Sequence, residues 1–195
     1  MALGYILGKA SAKFLKKDIN VAAVMVLSVI PDIDILVPII QHRGPTHSLI
    51  TALVIFLPIL AIYSLKAVPY LLALISHSMI SDYFIGGQIQ LFWPLTTQHY
   101  GLSISIQSQI NITLEWAFFL ASMIIMFKAK DIFAFFRSSN SNLLLAIPTF
   151  TVMLPTFLGF PLNVPAWLLL PHLFYVSLFC ASMIMVVLHS YRSPQ

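Results

Sequence analysis

Apolar and polar positions alternate on a coarse scale along this chain: long apolar runs are separated by short polar stretches. Runs at 46–65, 67–85, 111–127, 142–160 and 164–189 reach or approach the roughly 20 residues that a helix needs to cross a hydrocarbon core. An earlier run at 19–40 is interrupted by Pro31, Asp32, Asp34 and Pro38 and reads as a broken helix. Irregular backbone at membrane depth persists only where protein covers it or where it lines a cavity, so this segment marks a site. Ahead of it, residues 2–17 set Lys9, Lys13, Lys16 and Lys17 on one helical face and Leu3, Ile6, Leu7, Ala10 and Phe14 towards the other. That pattern predicts an interfacial amphipathic helix with its lysines against anionic head groups. The whole reads as an all-α polytopic transmembrane bundle of about six crossings plus this N-terminal helix. It forms a single integral membrane domain over 1–195, with a motif-bearing half at 1–110 and a hydrophobic half at 111–195.

Composition sharpens this picture. Hydrophobic residues make up 59% of the chain and charged ones 8%, against about a quarter charged in a soluble domain, so the lipid bilayer is the expected partner. The formal charge of +4 would raise the question of nucleic acid in a soluble protein; with no basic patch interleaved with aromatics, no nucleic acid is expected. The positive charges are better read as an orientation signal. Six crossings from a cytoplasmic N-terminus put every basic residue except Arg43 on the cytoplasmic side. Both termini are then cytoplasmic in the cell membrane, unless the broken segment re-enters and reverses the parity. The first residues lack the order of a cleavable signal peptide, since the lysines follow the apolar start. Cys180, the only cysteine, reads as a small core residue.

Three of the six acidic residues and three of the six histidines crowd into two short stretches. The first holds Asp32, Asp34, His42 and His47, with Arg43 and Ser48 among them; the second holds His77 and Asp82. A carboxylate near a membrane interior is costly unless paired or coordinated, and a shared divalent cation relieves that cost. Imidazole and carboxylate are the ligand set of zinc, and equally of manganese or iron. The lack of further cysteines favours a hydrolytic centre over a thiolate-rich structural one. Gly44-Pro45-Thr46 predicts a turn and helix start that leaves His47 and Ser48 at a helix N-terminus. There Ser48 and the bidentate guanidinium of Arg43 would hold a phosphate. Glu115, alone in an apolar run, is a candidate base or outer orienting group; His99, in the polar loop before that run, is a second catalytic candidate. His172 and His189 are assigned structural roles.

The order Pro31-Asp32-Ile33-Asp34, His42-Arg43-Gly44-Pro45-Thr46-His47-Ser48, Ser76-His77 with Asp82, then Trp93-Pro94 resembles the YdjM-like family of membrane-bound metal-dependent hydrolases. The motifs cover about the first half of the chain; the second half is similar only in being hydrophobic. The resemblance implies kinship to all-helical zinc-dependent phospholipase C enzymes, and so a multi-metal site that activates water against a phosphoester. Two positions depart from the family pattern. Gly4-Tyr5 stands where members often carry histidine, and His77 and Asp82 are five apart instead of four. Five residues of regular helix leave two side chains some 140° apart. The spacing therefore predicts a π-bulge or a helix break that turns both groups into one cavity, or else Ser78 occupies the histidine position.

The sequence thus predicts a membrane-embedded hydrolase with Asp32, Asp34, His42, His47, His77 and Asp82 as metal ligands and a lipid-like or membrane-delivered phosphoester as substrate. Two other classes fit parts of the pattern. A transporter also uses broken helices with intramembrane acids, although here the acids crowd one end of the bundle. A non-catalytic scaffold could use the same cluster as a metal staple.

Overall fold

A computed structural model describes residues 1–37, 39–158 and 164–192. Pro38, one of the expected breaks, and the end of the 142–160 run lie outside the described residues. Helix α1 spans Ala2–Leu15 and stops at Lys16, whose left-handed backbone (φ 53°) caps it. Asn20 opens α2 (Val21–Leu27) by accepting from the amide of Ala23 at 3.0 Å. A 3₁₀ helix over Ile30–Leu36 follows, with Pro31 in its first turn. Helix α3 (Leu49–Tyr63) leads to α4 (Val68–Ser76), which continues as a π-helix over His77–Asp82. Helix α5 (Gln109–Lys128), a 3₁₀ helix at Asp131–Phe136, α6 (Asn140–Leu158) and α7 (Leu169–Arg192) complete the bundle. The only extended pairings among the described residues are two isolated bridges, Ile85 to Ile104 and Ile89 to Tyr100.

These elements alternate in direction between two ends. Met1, Asp32, Arg43, His77, Asp82, Asn111, Glu115, Thr156 and His172 all border one cavity. Asn20, Lys130, Arg137 and Ser139 border another, where α2 and α6 begin and α5 ends. The chain therefore has a basic end and an Asp/His end, as the distribution of lysines predicts.

Among the described residues four helices are long and apolar enough to cross a membrane: Leu49–Lys66, Gln109–Lys128, Asn140–Leu158 and Ala166–Tyr191. The 19–40 and 67–85 runs, also expected as crossings, form shorter pieces, with α2 of 7 residues almost wholly buried. Helix α3 shows most directly what solvent the bundle needs. Only Phe56 among its 15 residues is buried, and Val54, Ile55, Leu57 and Ile62 are each more than 60% exposed. A helix apolar on every side and packed on so little is stable only with lipid around it.

Helix α1 packs through a face that its lysine and leucine pattern does not mark. Its buried face is neither the lysine nor the leucine side but a stripe of Ala2, Tyr5, Gly8 and Ala12, with Gly4 beside it, and Phe14 points outward. A Cβ on Gly4 would lie 2.3 Å from Ser28 Cβ, and one on Gly8 would lie 2.9 Å from Val24 Cγ1. Small residues let helix backbones approach closely, so α1 packs against α2, α4 and α5. The Tyr5 hydroxyl donates to Asp131 Oδ2 at 2.7 Å, and Lys9 Nζ donates to Asp131 Oδ1 at 2.8 Å. These bonds tie α1 to the basic end while Met1 reaches the Asp/His cavity. Tyr5, Met25, Met126, Phe135, Met153 and Phe179 fill the core between the helices. Cys180, expected inside, is exposed on α7.

Candidate metal centre

Every ligand candidate is carried by backbone other than regular α-helix. Asp32 and Asp34 lie two apart on a 3₁₀ helix of three residues per turn, which aims them at adjoining sides. His47 ends the 3₁₀ turn Pro45–His47. His77 and Asp82 are the first and last residues of the π-helix. Hydrogen bonds five residues apart bring positions i and i+5 nearly over one another. The bulge that the spacing of five demands is thus present, and both groups face the same centre.

Two groups of side chains offer ligand atoms all within 4.8 Å of one another: Asp32, His47, His77 and Asp82, and Asp34, His42 and His47. The six residues expected as ligands are therefore brought together. In the first group His47 Nε2 lies 2.9 Å from Asp82 Oδ2 and 3.4 Å from Asp32 Oδ1. His77 Nε2 lies 3.2 Å from Asp32 Oδ1 and 3.3 Å from Asp82 Oδ2.

The outer contacts decide which ring nitrogen faces inward. Thr46 Oγ1 gives its one proton to Asp34 Oδ2 at 2.8 Å, so its 3.0 Å contact with His47 Nδ1 is one in which the ring donates. His77 Nδ1 lies 3.1 Å from the Ser28 carbonyl, which can only accept. As neutral rings both imidazoles carry their proton on Nδ1 and present Nε2 lone pairs to two carboxylates; as imidazoliums each Nε2 instead turns an N–H towards them. His47 Nε2 and Asp82 Oδ2 are buried without a well-formed hydrogen bond. Lone pairs facing carboxylates at this range repel unless a proton or a metal ion lies between them, and a single divalent ion would meet that demand for all four groups at once. A neutral ring offers one lone pair, so His47 serves the first group through Nε2. Asp34 then takes the outer place: it accepts from His42 Nδ1 at 2.9 Å and from the Arg43 amide at 3.1 Å. Burial raises the Asp34 carboxyl, but hydrogen bonds from His42, His47 and Thr46 outweigh it and hold the group well below the usual carboxylate range.

Arg43 adopts a left-handed backbone (φ 64°), and its carbonyl accepts from the Gln90 amide at 3.0 Å. The guanidinium lies over Gly86 and Gly87. A Cβ on Gly86 would come within 2.5 Å of Nη2, so the two glycines make room for the arginine. Its Nη2 stands 3.8 Å from Asp82 Oδ1, and its Nη1 is buried without a partner beside the cavity. This is where an anion-binding arginine is expected.

Ser48 has a different job from the anion contact expected of it. Its hydroxyl donates to the Trp93 carbonyl at 2.6 Å and accepts from the amides of Ile50 and Thr51. It caps α3 and pins the Trp93-Pro94 segment, which fixes His47 next door. His99 is exposed on its loop and borders neither the cluster nor the cavity. Glu115 does border the cavity, from the wall facing the metal ligands. Asn111 and His172 join it there, and both were missed as functional residues. A signal existed, because alternating passes put residues one turn into α5 and α7 at the depth of the cluster.

The family model for YdjM inner membrane proteins matches residues 1–160. The chain belongs to the YdjM inner membrane protein family. The match of this YdjM-family protein extends beyond the half that the motifs cover and takes in α5 with Asn111 and Glu115. No curated protein and no solved structure matches the chain.

Proposed function

We propose that this YdjM-family protein is a membrane-embedded, metal-dependent hydrolase of lipid-like phosphoesters. The observation that carries the reading is the convergence of two inward-facing imidazole Nε2 atoms and two carboxylates on one centre, beside an arginine nitrogen unpaired among the described residues. Asp32, His47, His77 and Asp82 would hold the ion, with Asp34 and His42 orienting His47 from behind. The donor set suits zinc first and manganese or iron next. When bound, such an ion lowers the pKa of a water towards neutrality and so makes a nucleophile available. Arg43 draws the phosphate into line. Glu115, across the cavity, exchanges the proton as water adds to phosphorus, the P–O bond breaks and the alcohol leaves. Metal analysis of purified protein, followed by assays on phosphodiesters and phospholipids, tests this reading. Stoichiometric metal with hydrolysis is the expected result. Ion or solute flux in liposomes without hydrolysis would move the protein to the transporter class.

Proton competition supplies a second test. Burial pulls the His47 pKa down, but hydrogen bonds that its ring donates to Asp32, Asp34 and Asp82 overcome this and raise it to about 11. Without an ion, His47 therefore stays protonated across the neutral range, and a metal must displace that proton. Affinity is expected to rise about tenfold per pH unit for each proton displaced. Chelator competition at pH 6, 7 and 8 measures this, and a flat profile would contradict the arrangement.

Orientation is proposed from charge: the basic end is cytoplasmic and the Asp/His end faces away. Gln41 and Gln98 are exposed near that far end. Cysteines placed there are expected to react with an impermeant reagent added outside the cell, and labelling only from the cytoplasmic side would reverse the assignment.

A further inference from the structure

The wall that faces the metal ligands is built from the half of the chain that carries no family motif. Asn111 is 2% exposed. Its Nδ2 donates to the Ile106 carbonyl at 2.7 Å, which fixes the amide orientation. Among the described residues the oxygen is left buried without a partner at the cavity. An amide oxygen held this way is an acceptor waiting for an O–H or N–H donor. Glu115 follows one helical turn later on the same face of α5 and adds a carboxylate. His172 closes the wall from α7. The cavity is small, about 160 Å³, and its lining combines Arg43, members of the ligand cluster and Met1 with these acceptors.

A second space of about 350 Å³ adjoins it, sharing Met1, Ser81, Ile85 and Glu115. This one is lined by Leu3, Ile80, Phe84, Ile110, Leu114 and Phe118. Ile80, Phe84, Ile110 and Leu114 are 40% or more exposed, so the groove opens sideways between the π-helix and α5, where a bilayer would supply hydrocarbon. Charge and polarity thus run in order from anion seat to acceptor wall to apolar groove.

We infer that the protein selects a phospholipid whose small head group carries hydroxyl or ammonium protons. The phosphate lies at Arg43, the head-group alcohol is held by Asn111 Oδ1 and Glu115, and an acyl chain lies in the Ile80–Leu114 groove. The inference rests on the hydrolase reading for its phosphate seat. Asn111 acts as a specificity residue through a hydrogen bond that a donor-free head group cannot return. Leaving that buried acceptor unpaired corresponds to about tenfold or more in affinity.

The test uses the full-length, metal-loaded protein and three lipids of matched chains: phosphatidylglycerol, phosphatidylethanolamine and phosphatidylcholine. Binding is read by native mass spectrometry and turnover by released product. Phosphatidylglycerol and phosphatidylethanolamine are expected to bind about tenfold or more tightly than phosphatidylcholine, whose quaternary ammonium has no proton to give. Asn111→Leu should bring that ratio to about one with metal content unchanged, and Asn111→Asp, which keeps an acceptor, should restore it. Glycerol 3-phosphate, which lacks the chain, should bind far more weakly than the lipids. Equal binding of all three lipids by the wild type, or a ratio that survives in Asn111→Leu, would overturn the inference. Selective binding without turnover would leave the subsite standing and remove the hydrolase reading instead.

Discussion

His47→Ala is expected to leave the protein inserted in the membrane at near-normal levels but without bound metal and without activity. The ring is the one side chain common to both ligand groups, and it is fully buried. Removing it deletes one ligand and leaves Asp32 and Asp82 facing each other across a gap. Asp34→Asn makes a graded comparison, because Asp34 acts through Thr46 and the His47 Nδ1 side. Loss of such an outer partner typically costs 10- to 100-fold in affinity, so Asp34→Asn should retain metal at high concentration where His47→Ala does not. Metal stoichiometry on purified variants decides this. Full occupancy in His47→Ala would dismiss the proposed centre.

Glu115→Gln is expected to lower turnover by about 10²- to 10⁴-fold, the range that positioned proton transfer contributes, with metal content unchanged. The substitution keeps shape and one acceptor oxygen while removing the charge. Glu115 borders the cavity together with Met1, Asn111 and His172. Single-turnover rates across pH distinguish the roles. The wild type should show a limb assignable to a proton-transfer group that Glu115→Gln lacks. Unchanged turnover would return Glu115 to a structural part.

Much of this centre could be read from the chain because its signals are local and costly. Carboxylates and imidazoles in a sequence otherwise starved of charge need a common explanation, and His77 and Asp82 five apart demand a bulge that the π-helix supplies. The long crossings were legible for a similar reason, since mean hydropathy over 18 residues survives local irregularity. What escaped the sequence depends on packing. The contact face of α1 consists of glycine, alanine and one tyrosine, whose importance lies in how closely backbones approach and not in hydropathy. Ser48 looked like an anion ligand because a helix N-cap and an anion seat use the same side chain; only the Trp93 carbonyl shows where the hydroxyl goes. Asn111 and His172 are distant in sequence from the cluster and gain meaning once alternating passes bring their ends together.

The π-helix, the 3₁₀ helix at Ile30–Leu36 and the turn at Pro45–His47 belong to three separate passages of the chain. An ion held by Asp32, His47, His77 and Asp82 would therefore fasten those passages to each other as a cross-link does, closing a loop from position 32 to position 82. Because binding energy at such a junction is also folding energy, loading this end of the bundle and assembling it become one event. The catalytic chamber would then be put together by the same ion that it employs.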